Sequence, residues 1–486
     1  MNFLEATPAR AVVECATPHG DPAAAAAALR PLLASWSEEP STPEIARWSR
    51  HLVALARRYG AAPFTTLREA RGQLGADRAE FARLLELFGR VPELREAVRQ
   101  GAAGKYWTNT VLPLEGRGVF DAVLEGRPAY PAIVGLYAGP TCMFRCHFCV
   151  RVTGARYDAS ALEPGNAVLT KVIDEAPDAD PNLMYLSGGL EPLTNPRLGE
   201  LVSRAARRGF RLTMYSNAFA LTEQTLTRQP GLWDLGAVRT SLYGLSDEEY
   251  QATVGKPRSF GRVKENLTGF LRMRTERERP VRLGLNYLIL PGRARRLLDL
   301  VDFMTELSEG TPDRPLDFLN VRQDYSGRDD GWLGTADRTE LQDVLGAFEE
   351  KVRDRLPTLD VDYGYALNSL RSGVEAVMLR ITPEQMRPRA HAQVSVQIDL
   401  RGDVYLYREA GFPDLPRADR YIAGRVDTEH GLDQVVEDFV RYGRGIPARS
   451  GDEYFLDGFD QVITARLNQL EDDLADGWGP ARGLLR

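Results

Sequence analysis

Three of the four cysteines in this 486-residue chain lie within one short stretch, at Cys142, Cys146 and Cys149. Such a concentration of a rare residue points to a shared chemical task. Three thiolates separated by three and then two residues can hold a [4Fe–4S] cluster by three of its irons and leave the fourth iron without a protein ligand. The amino and carboxylate groups of S-adenosylmethionine (SAM) could chelate that open iron.

A structural zinc site is the main alternative for these cysteines, because zinc prefers four tetrahedral ligands. His147 directly follows Cys146 and could join a thiolate set only by distorting the loop. Cys15 could supply a fourth thiolate only if the N-terminal part of the chain folded back. A single distant cysteine is also poor material for a disulfide framework and suits a reducing compartment.

Composition excludes several functional classes. The chain has 27% charged and 43% hydrophobic residues, which is typical of a globular protein with two or three domains. Its net charge is −7 and charges of both signs are interspersed, so we expect no nucleic-acid partner. We find neither a long apolar segment nor a signal peptide and therefore expect a cytoplasmic protein without a membrane contact.

The elements that must position the cysteine loop show a β/α pattern. Short apolar runs alternate with capped helices and predict a parallel sheet. The expected strands cover 132–137, 183–186, 211–215, 238–242, 283–290 and 318–322. Thr222, Ser246 and Thr335 are expected to mark helix starts. Six such units fit an open or partial (β/α)6 barrel of the α/β class, with ligands at the C-terminal ends of its strands.

Three domains are predicted. Residues 1–128 have amphipathic helical patterns and form a helical N-terminal domain. The partial barrel covers 129–390, and a C-terminal extension covers 391–486. Alternating apolar residues at 394–407 predict a β-hairpin in this extension, and a helical pattern returns near 459–470.

The spacing of the three cysteines, with aromatic Phe148 before the last of them, resembles the signature of the radical SAM superfamily. The resemblance implies that Phe148 packs near the adenine of SAM and that Gly188 and Gly189 meet its methionine end. Asn217 and Ser241 would lie on the ribose side, while Glu191 is a further cofactor candidate. The family usually has a glutamate directly after the glycines, whereas here Leu190 intervenes before Glu191.

Longer stretches at 142–157, 187–196, 324–330, 362–371 and 405–413 resemble radical SAM ammonia-lyases that act on TDP-linked amino sugars. This resemblance implies a TDP-amino sugar substrate and a flavodoxin or ferredoxin as electron donor. The hairpin at 394–407 contains no cysteine, which argues for a single cluster. The alternatives are a radical SAM oxidation or dehydration of a related sugar nucleotide and, in a different class, a zinc-stabilised binding protein.

Polar residues after the predicted strands are candidates for substrate contacts. A diphosphate calls for arginine, and a deamination calls for a group that moves protons. The substrate-binding candidates are Arg322, Tyr325, Arg328, Arg371 and Arg408. The catalytic candidates are Tyr243, Asn286, Asp324 and Glu409. Arg145 and His147 are interpreted as outward-facing or loop-supporting residues rather than as ligands.

Overall fold

The computed structural model describes residues 110–149, 154–323, 335–363, 367, 370, 381–443 and 445–475. Most of the predicted N-terminal helical domain therefore lies outside the described residues. The chain divides into two compact units, one of which contains Asp121–Asp362 and Thr382–Asp460, and the other Ala11–Phe120, Tyr363–Ile381 and Gln461–Arg486. The predicted domain boundaries at 128 and 390 stay predictions. Within the described ranges, no helix is long and apolar enough to cross a membrane.

One sheet contains all ten strands of the described chain, in the order β10-β9-β8-β1-β2-β3-β4-β5-β6-β7. The strands are β1 Ile133–Leu136, β2 Met184–Leu186, β3 Thr213–Ser216, β4 Ala237–Leu242, β5 Arg282–Ile289, β6 Phe318–Gln323, β7 Asp360–Asp362, β8 Ser395–Ile398, β9 Asp403–Tyr405 and β10 Ile422–Arg425. Strands β8 and β1 to β7 pair in parallel, whereas β9 and β10 are antiparallel. All six predicted strands are present, and the sheet is open, as expected for a partial (β/α)6 barrel.

Helices follow the strands as the capping pattern predicts. They are α1 Leu112–Gly116, α2 Val119–Leu124, α3 Leu162–Glu175, α4 Leu198–Arg207, α5 Glu223–Arg228, α6 Asp247–Val254, α7 Ser259–Glu276, α8 Arg296–Glu309, α9 Thr335–Arg355, α10 Leu432–Tyr442 and α11 Gly458–Ala475. Thr222 caps α5 by accepting from the Thr225 N–H at 3.0 Å, and Ser246 caps α6. Thr335 is the first residue of α9. The caps confirm that local sequence fixes where these helices begin.

The two faces of the central strands differ in polarity, because successive side chains of a strand point to opposite sides. Val238, Thr240 and Leu242 of β4 are buried, while Arg239 and Ser241 between them are half-buried. The parallel register places Ser241 beside Asn286 of β5. A row of polar side chains therefore crosses one face of the sheet.

The C-terminal hairpin is confirmed, and its place in the sheet goes beyond the prediction. β8 and β9 pair antiparallel around a turn in which Gly402 has φ 82°. β8 also pairs in parallel with β1, from Ile133↔Ser395 to Leu136↔Ile398. All four residues of β8 are buried, although polar and apolar residues alternate along it. The hairpin thus continues the barrel sheet next to the strand that leads into the cysteine loop.

Within the second unit, a buried ion pair joins α11 to the segment around α1. Arg466 Nη2 lies 2.7 Å from Glu115 Oε1, and the two side chains are 2% and 6% exposed. Removal of one partner from such a pair costs about 3 to 5 kcal/mol, because the other charge stays buried. The helical pattern predicted near the end of the chain corresponds to α11.

Candidate functional site

The cysteine loop follows β1 and is fixed by its own backbone. The N–H of Cys149 donates to the carbonyl of Cys146 at 3.1 Å, which closes a turn around the last two thiols. All three cysteines carry thiols rather than disulfides, and each is half-buried. The last two thiols are therefore held in one short turn, and all three remain partly accessible.

Backbone hydrogen bonds also join the loop to the end of α6. The N–H groups of Arg145 and His147 donate to the carbonyls of Val254 and Thr253 at 2.8 and 3.2 Å. The Arg145 side chain is exposed. These contacts agree with the interpretation of Arg145 and His147 as loop-supporting residues.

No group of three or more His, Cys, Asp or Glu side chains in the described ranges could hold a single metal ion. A [4Fe–4S] cluster makes a different demand, because each thiolate binds a separate iron. An all-thiolate donor set also suits iron–sulfur clusters. The side chains of the loop fit this group.

Aromatic rings pack against the aromatic residues of the cysteine loop. Phe144, which is 1% exposed, packs edge-to-face on Phe219 with ring centroids 5.5 Å apart. The ring centroid of Phe148 lies 5.5 Å from that of Tyr243, the residue that follows β4. Burial raises the pKa of Tyr243 well above its ordinary value, and a thiolate at Cys146 raises it further. Tyr243 is therefore a neutral phenol beside the cysteine loop.

Glu191 is a buried carboxyl group between two strand ends, and both of its oxygens accept hydrogen bonds. It is 4% exposed, and its Oε1 accepts from the Ser216 hydroxyl at 2.7 Å and from the Leu193 N–H at 3.2 Å. Its Oε2 accepts from the Asn217 N–H at 2.8 Å. Burial raises its pKa, and these three donors oppose the shift. The side chain predicted to bind cofactor is thus engaged with protein donors.

Asn217, which follows β3, hydrogen-bonds to both Glu191 and the cysteine loop. Its Nδ2 donates to Met143 Sδ at 3.3 Å and to Cys142 Sγ at 3.8 Å. Asn217 is 6% exposed, whereas Ser241 on the next strand is half-buried. The structure therefore brings the Asn217 amide against the sulfurs of the loop.

Gly188 and Gly189 leave room for the β1 end and the C-terminal hairpin. Gly188 has φ 98°, and a Cβ on it would collide with the ring of Tyr137. A Cβ on Gly189 would lie 2.6 Å from the carbonyl oxygen of Gly411. Larger residues would displace these neighbours, so close packing requires both glycines, and the backbone conformation also favours glycine at 188.

Arg408 and Glu409 lie in a one-turn 3-10 helix after β9. The Tyr137 hydroxyl donates to the carbonyl of Arg408 at 2.9 Å, which ties this turn to the end of β1. The Arg408 guanidinium lies 3.7 Å from the ring centroid of Phe459 and 3.5 Å from Asp457. Its charge is therefore balanced within the protein rather than presented alone to a diphosphate.

Carboxyl groups crowd around this turn. The Arg408 N–H donates to Asp460 Oδ2 at 2.8 Å, and Asp460 is 1% exposed. Burial, and then the charge of Asp457, raise the pKa of Glu409 to about 8, although Arg408 lowers it. No described residue donates a hydrogen bond to the Glu409 carboxyl. Glu409 thus keeps its proton near neutral pH.

A polar row on the sheet contains Asn286, one of the predicted catalytic residues. Its side-chain amide hydrogen-bonds to that of Asn320 at 2.8 Å. In the orientation that satisfies its other neighbours, Asn320 accepts from Arg239 Nη1 at 2.7 Å and donates to Asp362 at 3.1 Å. The row joins β4, β5, β6 and β7 and contains side chains of both charge signs.

Sequence reasoning missed several of these residues. Arg239 stacks on the ring of Phe318 at 4.6 Å, and its signal was a charged residue inside an apolar strand. Asp457 and Asp460 have no local signal, because they meet Glu409 only through folding. Of the other predicted contacts, Arg322 lies half-buried on β6. Four candidates lie outside the described residues: Asp324, Tyr325, Arg328 and Arg371.

The comparisons with known proteins agree with the cysteine loop. The sequence model of the Radical SAM superfamily matches residues 136–304. The chain is 62% identical over 472 residues to the dTDP-4-amino-4,6-dideoxy-D-glucose ammonia-lyase of Streptomyces venezuelae, covering 97% of each chain.

Among solved structures, the chain matches Streptococcus suis SuiB bound to S-adenosylmethionine, at 14% identity and a TM-score of 0.41 over 74% of this chain and 75% of that one. Another is anSMEcpe with bound AdoMet, at 13% identity and a TM-score of 0.42 over 72% and 99%. On its cysteine signature, its family match and its full-length relative, the chain belongs to the radical SAM superfamily, whose cofactors are a [4Fe–4S] cluster and SAM.

Proposed function

We propose that this enzyme is an ammonia-lyase that removes the C4 amino group of TDP-4-amino-4,6-dideoxy-D-glucose and gives TDP-3-keto-4,6-dideoxy-D-glucose. The observation that carries the proposal is the 62% identity over 97% of the chain to a lyase named for this substrate. Neither oxidation of a related sugar nucleotide nor a zinc-stabilised binding role gains support from the comparisons. The resemblance further suggests a place in deoxyamino-sugar biosynthesis, as in TDP-desosamine.

The cofactors define one side of the proposed site. When bound, they supply hydrogen-atom abstraction from C3 of the sugar by a 5′-deoxyadenosyl radical. The three cysteines would hold the cluster, and Phe148, Gly188, Gly189 and Ser241 are the proposed SAM contacts. We propose that Glu191 and Asn217 act by positioning, because their polar groups face protein atoms.

The sugar nucleotide is proposed to lie over the polar row of the sheet. Arg239 and Asn286 would contact the sugar, while Arg322, Tyr325, Arg328 and Arg371 remain candidates for the diphosphate. Arg408 is paired with Asp457 and stacked on Phe459, so we assign it a supporting role beside Glu409. A site that fixes the ring in one pose aligns the C4–N bond with the half-filled orbital at C3, which elimination requires.

Elimination also requires two proton movements. The nitrogen must leave as ammonia, and the C3 hydroxyl must lose its proton. Glu409 is the proposed proton carrier, because it is protonated near neutral pH and accepts no hydrogen bond from a described residue. Its proton would pass to the C4 nitrogen, and its carboxylate would then take the C3 hydroxyl proton. The radical left at C4 of the ketone would take one electron from the electron donor and one proton, which completes the 3-keto sugar. Tyr243, Asn286 and Asp324 remain candidates for orienting the reacting groups.

The proposed electron donor is a flavodoxin or a ferredoxin, and the proposed location is the cytoplasm. Both follow from the family resemblance and from the sparse cysteines of the chain.

Product analysis tests the lyase proposal. The reconstituted enzyme is incubated without oxygen with SAM, dithionite and TDP-4-amino-4,6-dideoxy-D-glucose. We expect ammonia and the 3-keto sugar to form together with 5′-deoxyadenosine. Formation of 5′-deoxyadenosine and an oxidised amino sugar without ammonia would overturn the proposal in favour of a dehydrogenase.

A further inference from the structure

Asn217 lies between a buried carboxylate and a cluster cysteine. Its backbone N–H donates to Glu191 at 2.8 Å, and its side-chain Nδ2 points to Cys142 Sγ at 3.8 Å. The same Nδ2 reaches Met143 Sδ at 3.3 Å. Two parts of one residue therefore connect the ends of β2 and β3 with the cysteine loop.

The orientation of this amide is fixed from both sides. Its Oδ1 accepts from the Phe219 N–H at 3.0 Å, which leaves Nδ2 to face the sulfurs. The next residue, Ala218, is held in a left-handed conformation with φ 55° while its N–H donates to Ser216 Oγ at 2.9 Å. A turn with these constraints holds Asn217 in one pose before any cofactor binds.

Glu191 anchors the turn through three hydrogen bonds to its buried carboxyl group. Its two oxygens accept from Ser216, Leu193 and Asn217, and it is 4% exposed. The Glu191 N–H donates to the Thr141 carbonyl, directly before the first cysteine, at 2.9 Å. The carboxylate thus sets the distance between the Asn217 turn and the cysteine loop.

We infer that Asn217 is a positioning residue that tunes the reduction potential of the cluster by donating an N–H bond to the Cys142 thiolate, with Glu191 holding it in place. Hydrogen bonds to ligand sulfurs are one of the factors that set the potentials of iron–sulfur clusters. A donor stabilises the reduced cluster more than the oxidised one, because reduction adds negative charge to the sulfurs. Asn217 should therefore make this cluster easier to reduce.

The Asn217→Leu variant removes the donor and keeps a similar volume. The whole chain is reconstituted with iron and sulfide, and the cluster is titrated with dithionite while its reduced form is followed by EPR. We expect the reduced-to-oxidised ratio at a fixed potential to fall roughly fivefold relative to wild type, with the iron content unchanged. Glu191→Gln should shift the ratio in the same direction and by less, because the turn is loosened but the amide remains.

A matched control separates this effect from a disturbed loop. The Asn266 amide donates to the carbonyls of Ala218 and Phe219 at 2.9 and 3.0 Å and therefore supports the same turn without facing a sulfur. Asn266→Leu should leave the potential at the wild-type value.

Two results would overturn the inference. One is an Asn217→Leu cluster with full iron content and the wild-type potential. The other is an equal shift in Asn266→Leu, which would assign the effect to the turn as a whole. Should Asn217→Leu fail to retain iron, Asn217→Ser, which keeps a shorter hydroxyl donor, should bind iron and show an intermediate potential; a wild-type potential there would also reject the inference. The titration needs no sugar, so its failure leaves the lyase proposal untouched.

Discussion

Glu191 and Glu409 are both carboxylates in buried surroundings, yet the protein treats them in opposite ways. Glu191 accepts three hydrogen bonds and lies among residues of adjacent β/α units. Glu409 accepts none from the described residues and lies beside Asp457 and Asp460. Burial raises the pKa of each group, but only at Glu191 do donors oppose the shift.

This difference in hydrogen bonding suits the surroundings of Glu191 and of Glu409 to different functions. A carboxylate surrounded by donors holds a shape, and Glu191 fixes the distance between β3 and the cysteine loop. A carboxyl without donors among like charges keeps its proton and can give it away near neutral pH. In the proposed mechanism, radical generation belongs to the Glu191 side of the site and proton transfer to the Glu409 side.

The largest effect is expected on the radical side. Replacement of Cys142, Cys146 or Cys149 by alanine should abolish both iron binding and SAM cleavage, because each thiolate holds one iron. Iron content and 5′-deoxyadenosine formation are measured after reconstitution. Cys15→Ser is the control and should retain both; a cysteine-loop variant with full iron and full SAM cleavage would refute the assignment.

A single substitution at Glu409 should lower ammonia formation without affecting the cluster. Glu409→Gln removes the transferable proton and should lower the rate of ammonia formation about 10²- to 10³-fold, as expected for loss of an acid–base group. The cluster should still form with normal iron content. Glu437→Gln, on the exposed side of α10, is the control and should retain wild-type rates. An unchanged ammonia rate in Glu409→Gln would remove Glu409 from the mechanism.

The pH dependence distinguishes a raised pKa from an ordinary one. Asp457→Asn removes a negative charge that raises the pKa of Glu409, while Arg408, which lowers it, remains. The pKa of Glu409 should therefore fall from about 8. Asp460 and Tyr137 face the same turn and remain in place. The inflection of the pH profile of ammonia formation should therefore move to lower pH. An inflection that stays in place, or that moves equally in the exposed control Asp438→Asn, would contradict this cause.

Stability should follow the same group with a defined sign. The folded state keeps Glu409 protonated up to about pH 8, whereas the unfolded state ionises near 4.5. Its contribution is therefore fully present below pH 4.5 and is lost as the pH rises toward 8. Urea unfolding from pH 5 to 8 should show a smaller loss of unfolding free energy in Glu409→Gln than in wild type. Equal losses in the two proteins would place the pKa of Glu409 near its ordinary value.

The smallest expected effect concerns Gly188, which lies beside the ring of Tyr137. Gly188 and Gly154 both have positive φ, but only Gly188 lies against another side chain, Tyr137. Gly188→Ala should therefore destabilise the fold by about 3 kcal/mol and Gly154→Ala by about 1 kcal/mol. Thermal or urea unfolding measures both, and equal losses would mean that the backbone conformation alone matters.

Much of the radical side follows from local sequence. The cysteine spacing, the capping residues Thr222 and Ser246 and the six apolar runs each depend on neighbours along the chain, and the structure confirms the strands and caps. The glycines and Glu191 also follow a predicted strand directly. Their positions could be predicted because parallel strands end at the same edge of the sheet.

The proton side could be predicted only in part. Glu409 is predicted because it follows the hairpin, but its raised pKa comes from burial in the folded protein and from the charge of Asp457, about fifty residues further on in the chain. The alternation at 394–407 predicts a hairpin and says nothing of its parallel partner β1. The role of Glu191 was also set by tertiary contacts, since sequence alone placed it among the cofactor residues.

The ratio of ammonia to 5′-deoxyadenosine tests the division of work most directly. Wild type and Glu409→Gln are compared side by side with SAM, reductant and TDP-4-amino-4,6-dideoxy-D-glucose. We predict a ratio near one in wild type and a much lower ratio in Glu409→Gln, because hydrogen abstraction continues while elimination fails. An unchanged ratio, with both products reduced together, would contradict the separation of radical generation from proton transfer.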